Sequence, residues 1–140
     1  GLPFYDTDQM LIEHYQMTIP EIFAKGGETL FRDYEHEIAR RVCTLGPSVV
    51  STGGGMLTFD RNGEILAKNG MIFYIDRPFE DCYANLAQHP ERPLFKNHTK
   101  KEVQDMYLIR RDLYRKYAKF DIKNTGTAGK AAEKICDLLK

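Results

Sequence analysis

The chain has 140 residues, 42% of them hydrophobic and 29% charged, a balance that supports a packed core and argues against disorder. Twenty Lys and Arg offset twenty Asp and Glu, so no net field directs the chain to nucleic acid or an anionic membrane, and an anion must be met by a few placed cations. Cys43, Cys82 and Cys136 form no C-x-x-C, which fits a reduced, cytoplasmic setting, and no apolar run approaches the ~20 residues of a membrane span. At this length a single domain, 1–140, is expected.

Leu2-Pro3-Phe4-Tyr5 reads as a short strand running into Asp6-Thr7-Asp8. Residues two apart in extended chain face the same way, so Asp6 and Asp8 are expected to project together, an arrangement that suits an indirectly held Mg²⁺ or a hydroxyl-bearing ligand. Asp8 also qualifies as the N-cap of a helix starting at Gln9-Met10-Leu11, and the two roles are compatible. Thr18-Ile19-Pro20-Glu21 is a capping-box pattern with Pro in the first turn, so a second helix begins there and carries Ile22 and Phe23. Gly26-Gly27 breaks it. A longer helix is predicted from about Glu28 to Leu45, with the apolar stripe Phe31, Tyr34, Ile38, Val42 and Leu45. Arg32 has Glu28 four residues before it and Glu35 three after. The trio is either a solvated ion-pair face or a pair of carboxylates holding a guanidinium steady for an anionic ligand.

Gly46-Pro47 turns the chain into a strand over Ser48–Ser51, which stops at Thr52 and the triplet Gly53-Gly54-Gly55. A strand ending in three glycines marks either a flexible turn or backbone that must approach something closely, where side chains would obstruct. In open α/β sheets ligands sit just beyond the carboxyl ends of strands. Asp60 to Lys68 is predicted helical, closed by Asn69-Gly70. Met71 to Ile75 is nearly continuously apolar, as a strand buried on both faces should be, and Phe79 to about Leu86 reads as a short helix. Residues 87–99 carry two prolines and no periodicity, the texture of a structureless loop used as a lid, with Arg92 at its centre.

The helix predicted over Lys100–Ala118 has the stripe Val103, Met106, Tyr107, Leu113, Tyr114 and Tyr117, and Arg110 falls on it. An inward guanidinium requires a carboxylate or an anionic ligand, whereas Arg111, one residue round, can turn to solvent. Phe120-Asp121-Ile122 is the last strand, followed by a helix bearing Ala131, Ile135, Leu138 and Leu139. Strands alternating with helices predict an α/β fold with a parallel sheet.

The segments Phe4-Tyr5-Asp6-Thr7-Asp8, Ile19-Pro20-Glu21-Ile22-Phe23, Gly27-Glu28 with Phe31-Arg32 and Glu35, Ser51-Thr52-Gly53-Gly54-Gly55, Arg92-Pro93-Leu94, and Arg110 four residues before Tyr114 occur in that order along essentially the whole chain. Each is weak alone; in order they are specific, and the chain resembles the shikimate kinase family, in the nucleoside-monophosphate-kinase branch of the P-loop kinases. The resemblance implies a three-layer α/β/α fold around a parallel sheet, with a substrate-binding region at about 8–35. It implies Mg²⁺-dependent phosphoryl transfer from ATP to the 3-hydroxyl of shikimate, a step toward chorismate and the aromatic amino acids. A cytoplasmic monomer is expected, with small molecules rather than nucleic acid or membrane as its partners. By the same resemblance Asp8 holds and orients the attacking hydroxyl, and Asp6 bears on Mg²⁺ through water. Arg32 and Arg110 grip the substrate carboxylate, Gly53, Gly54 and Gly55 bring backbone N–H groups to the substrate, and Arg92 descends with the lid onto the ATP phosphates. Phosphoryl transfer depends mostly on such positioning and electrostatics, so no nucleophile–base pair is expected.

The family pattern opens with a strand, a G-x-x-x-x-G-K-[ST] loop and a helix ahead of the Phe-Tyr-Asp strand. No Walker A sequence occurs in these 140 residues, and Gly1-Leu2-Pro3 matches the end of that first unit. The expectation is a fragment lacking about 25–30 residues, the length of one βα unit, and with it the first, central strand. As it stands, such a chain is expected not to catalyse ATP-dependent transfer. Tyr83-Ala84-Asn85-Leu86 lacks the arginine the family places near adenine, and Asn124-Thr125-Gly126-Thr127 departs from its basic, Pro-containing adenine loop. Two alternatives remain: a kinase for another small hydroxy acid such as gluconate, and a non-catalytic module that binds a small acid.

Overall fold

Two parallel strand pairs organise the protein. A computed structural model describes residues 1–140, the side chain of Pro93 excepted. The chain divides into two compact units, Gly1–Met71 and Ile72–Lys140.

In the first unit β1 (Phe4–Asp6) pairs with β2 (Val49–Ser51), Phe4 opposite Val49 and Asp6 opposite Ser51. Between them run α1 (Thr7–Tyr15) and α2 (Ile19–Val42); after β2 come a 3-10 turn (Met56–Thr58) and α3 (Asp60–Asn69). Parallel strands need a crossover of this kind, and here it is a helical hairpin. Helix α2 starts where its sequence says it should, with Thr18 accepting from the Glu21 N–H at 3.3 Å. Its two segments meet at Gly27, whose φ of 68° and ψ of −162° lie outside the helical region and suit glycine alone. Leu11, Ile22, Phe31, Ile38, Ala39, Met56, Leu57 and Leu66 form the core, each large aliphatic side chain contributing about 1.5–3 kcal/mol through removal from water.

In the second unit β3 (Phe73–Asp76) pairs in parallel with β4 (Phe120–Lys123), and the opposed rings of Phe73 and Phe120 stack with centroids 5.4 Å apart. The crossover comprises α4 (Phe79–Ala87), α5 (Pro93–Lys96) and α6 (Lys100–Tyr117), and α7 (Ala128–Leu138) follows β4. A complete capping box between Thr99 and Glu102 begins α6. Asp76, at the end of β3, accepts from the Tyr74 hydroxyl at 3.4 Å and pairs with Arg115 at 3.2 Å, while the Tyr107 hydroxyl donates to the Arg77 carbonyl at 2.5 Å, tying α6 to the strand. No helix among the described residues is long and apolar enough to cross a membrane.

Several expectations need correction. The N-cap of α1 is Asp6, not Asp8: Asp6 Oδ1 accepts from the Gln9 N–H at 3.0 Å, and the helix already includes Thr7 and Asp8. The two-residue alternation of a strand therefore does not govern Asp6 and Asp8. Helix α2 ends at Val42 rather than Leu45, because Thr44 and Leu45 donate into tight turns to Arg41 and Val42. Gly70 ends α3 in extended geometry (φ −163°), without the left-handed conformation that an Asn-Gly stop suggests. The α/β class itself holds, its strands forming two parallel two-stranded sheets. The apolar run 71–75 is not buried on both faces: Met71 is 44% exposed and Ile75 38%. The loop 87–99 contains the helical turn α5, begun by Phe95 and Lys96 donating to the Arg92 carbonyl. Arg111 does not turn to solvent; it is half-buried, and its Nε is shielded from water without a partner.

Candidate active site

The glycine turn after β2 carries a carboxylate at one end and a guanidinium at the other. Its position is set by β1 and α1: the hydroxyl of Thr7, a residue only 1% exposed, accepts from the Gly53 N–H at 3.1 Å. A side chain on Gly53 would place its Cβ 2.8 Å from Asp8 Oδ1. One on Gly55 would overlap the Arg32 guanidinium, so both ends of the turn need glycine for close approach rather than for a positive φ. Gly54 lies exposed between them.

Arg32 is held on four sides. Its Nη1 meets Glu35 Oε1 at 2.9 Å and its Nε meets Glu28 Oε1 at 3.4 Å. Its Cζ lies 5.2 Å from the ring centroids of both Phe31 and Phe59. Glu35 is almost fully enclosed, with 3% of its side chain exposed, while Arg32 keeps 19%. This is the held guanidinium, not the solvated ion-pair face. The 19% of the Arg32 side chain that stays exposed leaves part of the guanidinium open to an incoming anion. Asp8 is half-buried, and burial pushes its carboxyl pKa up; the Asp6 charge adds to the rise and Arg32 opposes it. A carboxylate with such a raised pKa can both accept a hydroxyl hydrogen bond and take its proton.

In the second unit Arg92 and Arg110 line one cavity of about 280 Å³, together with Tyr74, Tyr83, Tyr107 and Tyr114 among others. Arg110 donates to the Tyr114 hydroxyl, whose pKa is raised by burial against the pull of that guanidinium. Neither Arg92 nor Arg110 has a carboxylate partner among the described residues. A mostly apolar cavity with two such cations is built for an anion-bearing ligand.

Of the expected site residues, the structure thus brings Asp8, Arg32, Gly53 and Gly55 together within the first unit and Arg92 and Arg110 together within the second. Asp6 keeps one oxygen on its capping bond. Among the described residues there is no group of three or more His, Cys, Asp and Glu that could hold a metal. Residues that sequence reading passed over are Thr7, Phe59, and the pair His36 and Asn62, whose side chains meet at 2.7 Å although 26 positions separate them. Only Thr7 had a local signal, its place between two aspartates.

The family model described as shikimate kinase matches residues 1–140. A Clostridium botulinum shikimate kinase is 35% identical over 134 residues, which cover 96% of this chain and 79% of the relative. One from Caldicellulosiruptor bescii is 37% identical over 135 residues, covering 95% and 78%. Among solved structures, a shikimate kinase from Acinetobacter baumannii in complex with shikimate superposes with a TM-score of 0.89 at 33% identity, covering 99% of this chain and 79% of that one. A match that runs the full 1–140, carried by relatives above 30% identity on the same fold, means that the chain belongs to the shikimate kinase family.

Proposed function

We propose that the intact protein, with the kinase domain at 1–140, phosphorylates the 3-hydroxyl of shikimate. The observation that carries the reading is the glycine turn with Asp8 against Gly53 and Arg32 against Gly55. A rigid hydroxylated acid needs a carboxylate for its hydroxyls and a guanidinium for its own carboxylate, held at fixed separation. Arg32 offers the exposed part of its guanidinium to the substrate carboxylate, bidentate geometry being what Arg does better than Lys. Arg110, in the second unit, is a further cation for an anionic ligand group, and the backbone of Gly53, Gly54 and Gly55 forms the floor of the seat in the first. Asp8 orients the attacking hydroxyl and takes its proton as the new O–P bond forms and the donor's terminal P–O bond breaks, releasing the nucleoside diphosphate.

Family membership supports ATP as the phosphoryl donor and Mg²⁺ as its companion, with a monomer acting on small molecules in the cytoplasm. The metal supplies charge neutralisation on the transferring phosphate. The 140 residues contain no G-x-x-x-x-G-K-[ST] sequence, so on the nucleotide side they offer only Arg92, as a cation for phosphate oxygens, and Asp6 beside Asp8 for water-held metal.

The test is a coupled ADP-release assay with shikimate on the natural protein and on Arg32→Ala. The expected result is shikimate-dependent ADP release, with apparent shikimate affinity about 10–100-fold weaker in the variant, the worth of hydrogen bonds between charged groups. Unchanged affinity in Arg32→Ala removes the carboxylate grip. Shikimate binding without ADP release favours the non-catalytic module instead, and ADP release with gluconate but not shikimate moves the substrate to another hydroxy acid.

A further inference from the structure

Asn62 is the most enclosed polar side chain of the first unit that the substrate reading leaves unused, at 1% exposure. It sits in the first turn of α3. Its Nδ2 donates to the Met56 carbonyl at 2.9 Å, and its Oδ1 lies 2.7 Å from His36 Nδ1. The chemistry fixes both ends. A carbonyl can only accept, so the amide nitrogen must face Met56; the amide oxygen must then face His36, and Nδ1 of His36 must carry the proton. Two good hydrogen bonds satisfy a buried amide that would otherwise be costly.

The two partners are not arbitrary. Met56 directly follows Gly55, and the Gly55 carbonyl accepts from the Thr58 hydroxyl at 2.6 Å, so the turn is stiff from the glycine onward. His36 is four residues after Arg32 on α2, one helical turn along the same face. Asn62 therefore joins the backbone just beyond Gly55 to the helix turn that carries Arg32. Its neighbour Arg61 adds a parallel tie, donating to the Arg32 carbonyl at 3.0 Å and to Asp33 at 3.2 Å.

We infer that Asn62, braced by His36, is a positioning residue that sets the separation between the Arg32 guanidinium and the Gly55 backbone, and so the fit of the substrate carboxylate. It is too enclosed to touch substrate and acts through Met56 and His36. The inference about substrate fit rests on the reading of Arg32 given above; the brace itself does not.

Three variants test it. Asn62→Asp keeps the acceptor for His36 but turns a carboxylate oxygen toward the Met56 carbonyl. His36→Leu removes the donor, and His36→Gln restores one. The readouts are the Arg32 Nε–H resonance by NMR and shikimate affinity by calorimetry, both on the full chain. In Asn62→Asp the Arg32 signal shifts and shikimate binding weakens about tenfold, the usual scale for loss of a supporting partner. His36→Leu moves both in the same direction, and His36→Gln returns them toward the wild type. A folded Asn62→Asp or His36→Leu protein with wild-type Arg32 signal overturns the brace, whatever its melting temperature. If the signal moves but Arg32→Ala leaves shikimate affinity unchanged, the brace stands and the substrate reading falls.

Discussion

The two units handle their arginines in opposite ways. In the first, Arg32 is pinned by Glu28, Glu35, Phe31 and Phe59 and lies where a side chain at Gly55 would go. In the second, Arg92 is exposed just before α5, and Arg110 donates to the Tyr114 hydroxyl without a carboxylate partner among the described residues. A pinned cation gives geometric selectivity with little ordering cost on binding, whereas a loosely held one must be ordered by its ligand. The first unit reads as a preformed seat, and the cavity of the second as a surface completed by what it binds.

The largest effect that would sharpen this contrast is expected at Asp8. Asp8→Asn should lower kcat/KM about 10²–10⁴-fold in the ADP-release assay, the range for loss of a positioned general base. Stability should move the other way. Because the folded-state pKa of Asp8 is raised, the native state binds the proton more tightly than the unfolded chain does. The group is therefore most favourable to folding below its unfolded pKa, and that contribution is lost as pH rises through the folded value. At neutral pH Asp8→Asn should thus raise the melting temperature, by an amount that shrinks as the pH of the melt is lowered toward the carboxylate range. A lower melting temperature at neutral pH would show that the Asp8 charge is better compensated than its burial suggests.

A smaller loss is expected in the second unit. Arg110→Ala should weaken shikimate binding by calorimetry about 10–100-fold, in line with one charge-assisted contact, and leave the fold intact because no carboxylate is stranded. If the variant is as destabilised as one that strands Glu35, Arg110 is a structural cation and the contrast fails. Smallest of all is Arg115→Ala. Its pairs with Asp76 and Asp121, at 3.2 and 2.7 Å, are partly exposed, so a denaturant melt should show the smallest shift of the three, with shikimate affinity unchanged.

Much of the first unit was legible because its signals are local. The Gly26-Gly27 break, the Thr18 cap, the buried positions Phe31 and Ile38 and the Glu28–Arg32–Glu35 spacing are all written within one or two helical turns. Asp6 and Asp8 were harder: either can cap a helix, and a two-residue shift in its start decides which carboxylate stays free. The burial of Glu35 could not be read, since an acidic residue on a helix is exposed unless a tertiary partner encloses it. His36 and Asn62 carry no pattern at all; only the packing of α3 on α2 brings them together. In the second unit the apolar run 71–75 suggested two buried faces, but apolar character does not supply a covering layer, and Ile75 remains exposed. Arg110 was legible by its place on an apolar stripe, whereas Arg111 was misread because a helix face is wide enough to enclose the neighbouring stem as well.

The most direct measurement is a calorimetric titration of shikimate into the wild-type protein and into Gly55→Ala. The three atoms nearest the added methyl all belong to the Arg32 guanidinium, and every charge stays in place. A preformed acid seat predicts single-site binding by the wild type and a loss of about 100-fold in the variant, the scale expected of a displacement near 1 Å. Equal affinity in the two proteins would contradict it, because the turn and the arginine would then not form one site.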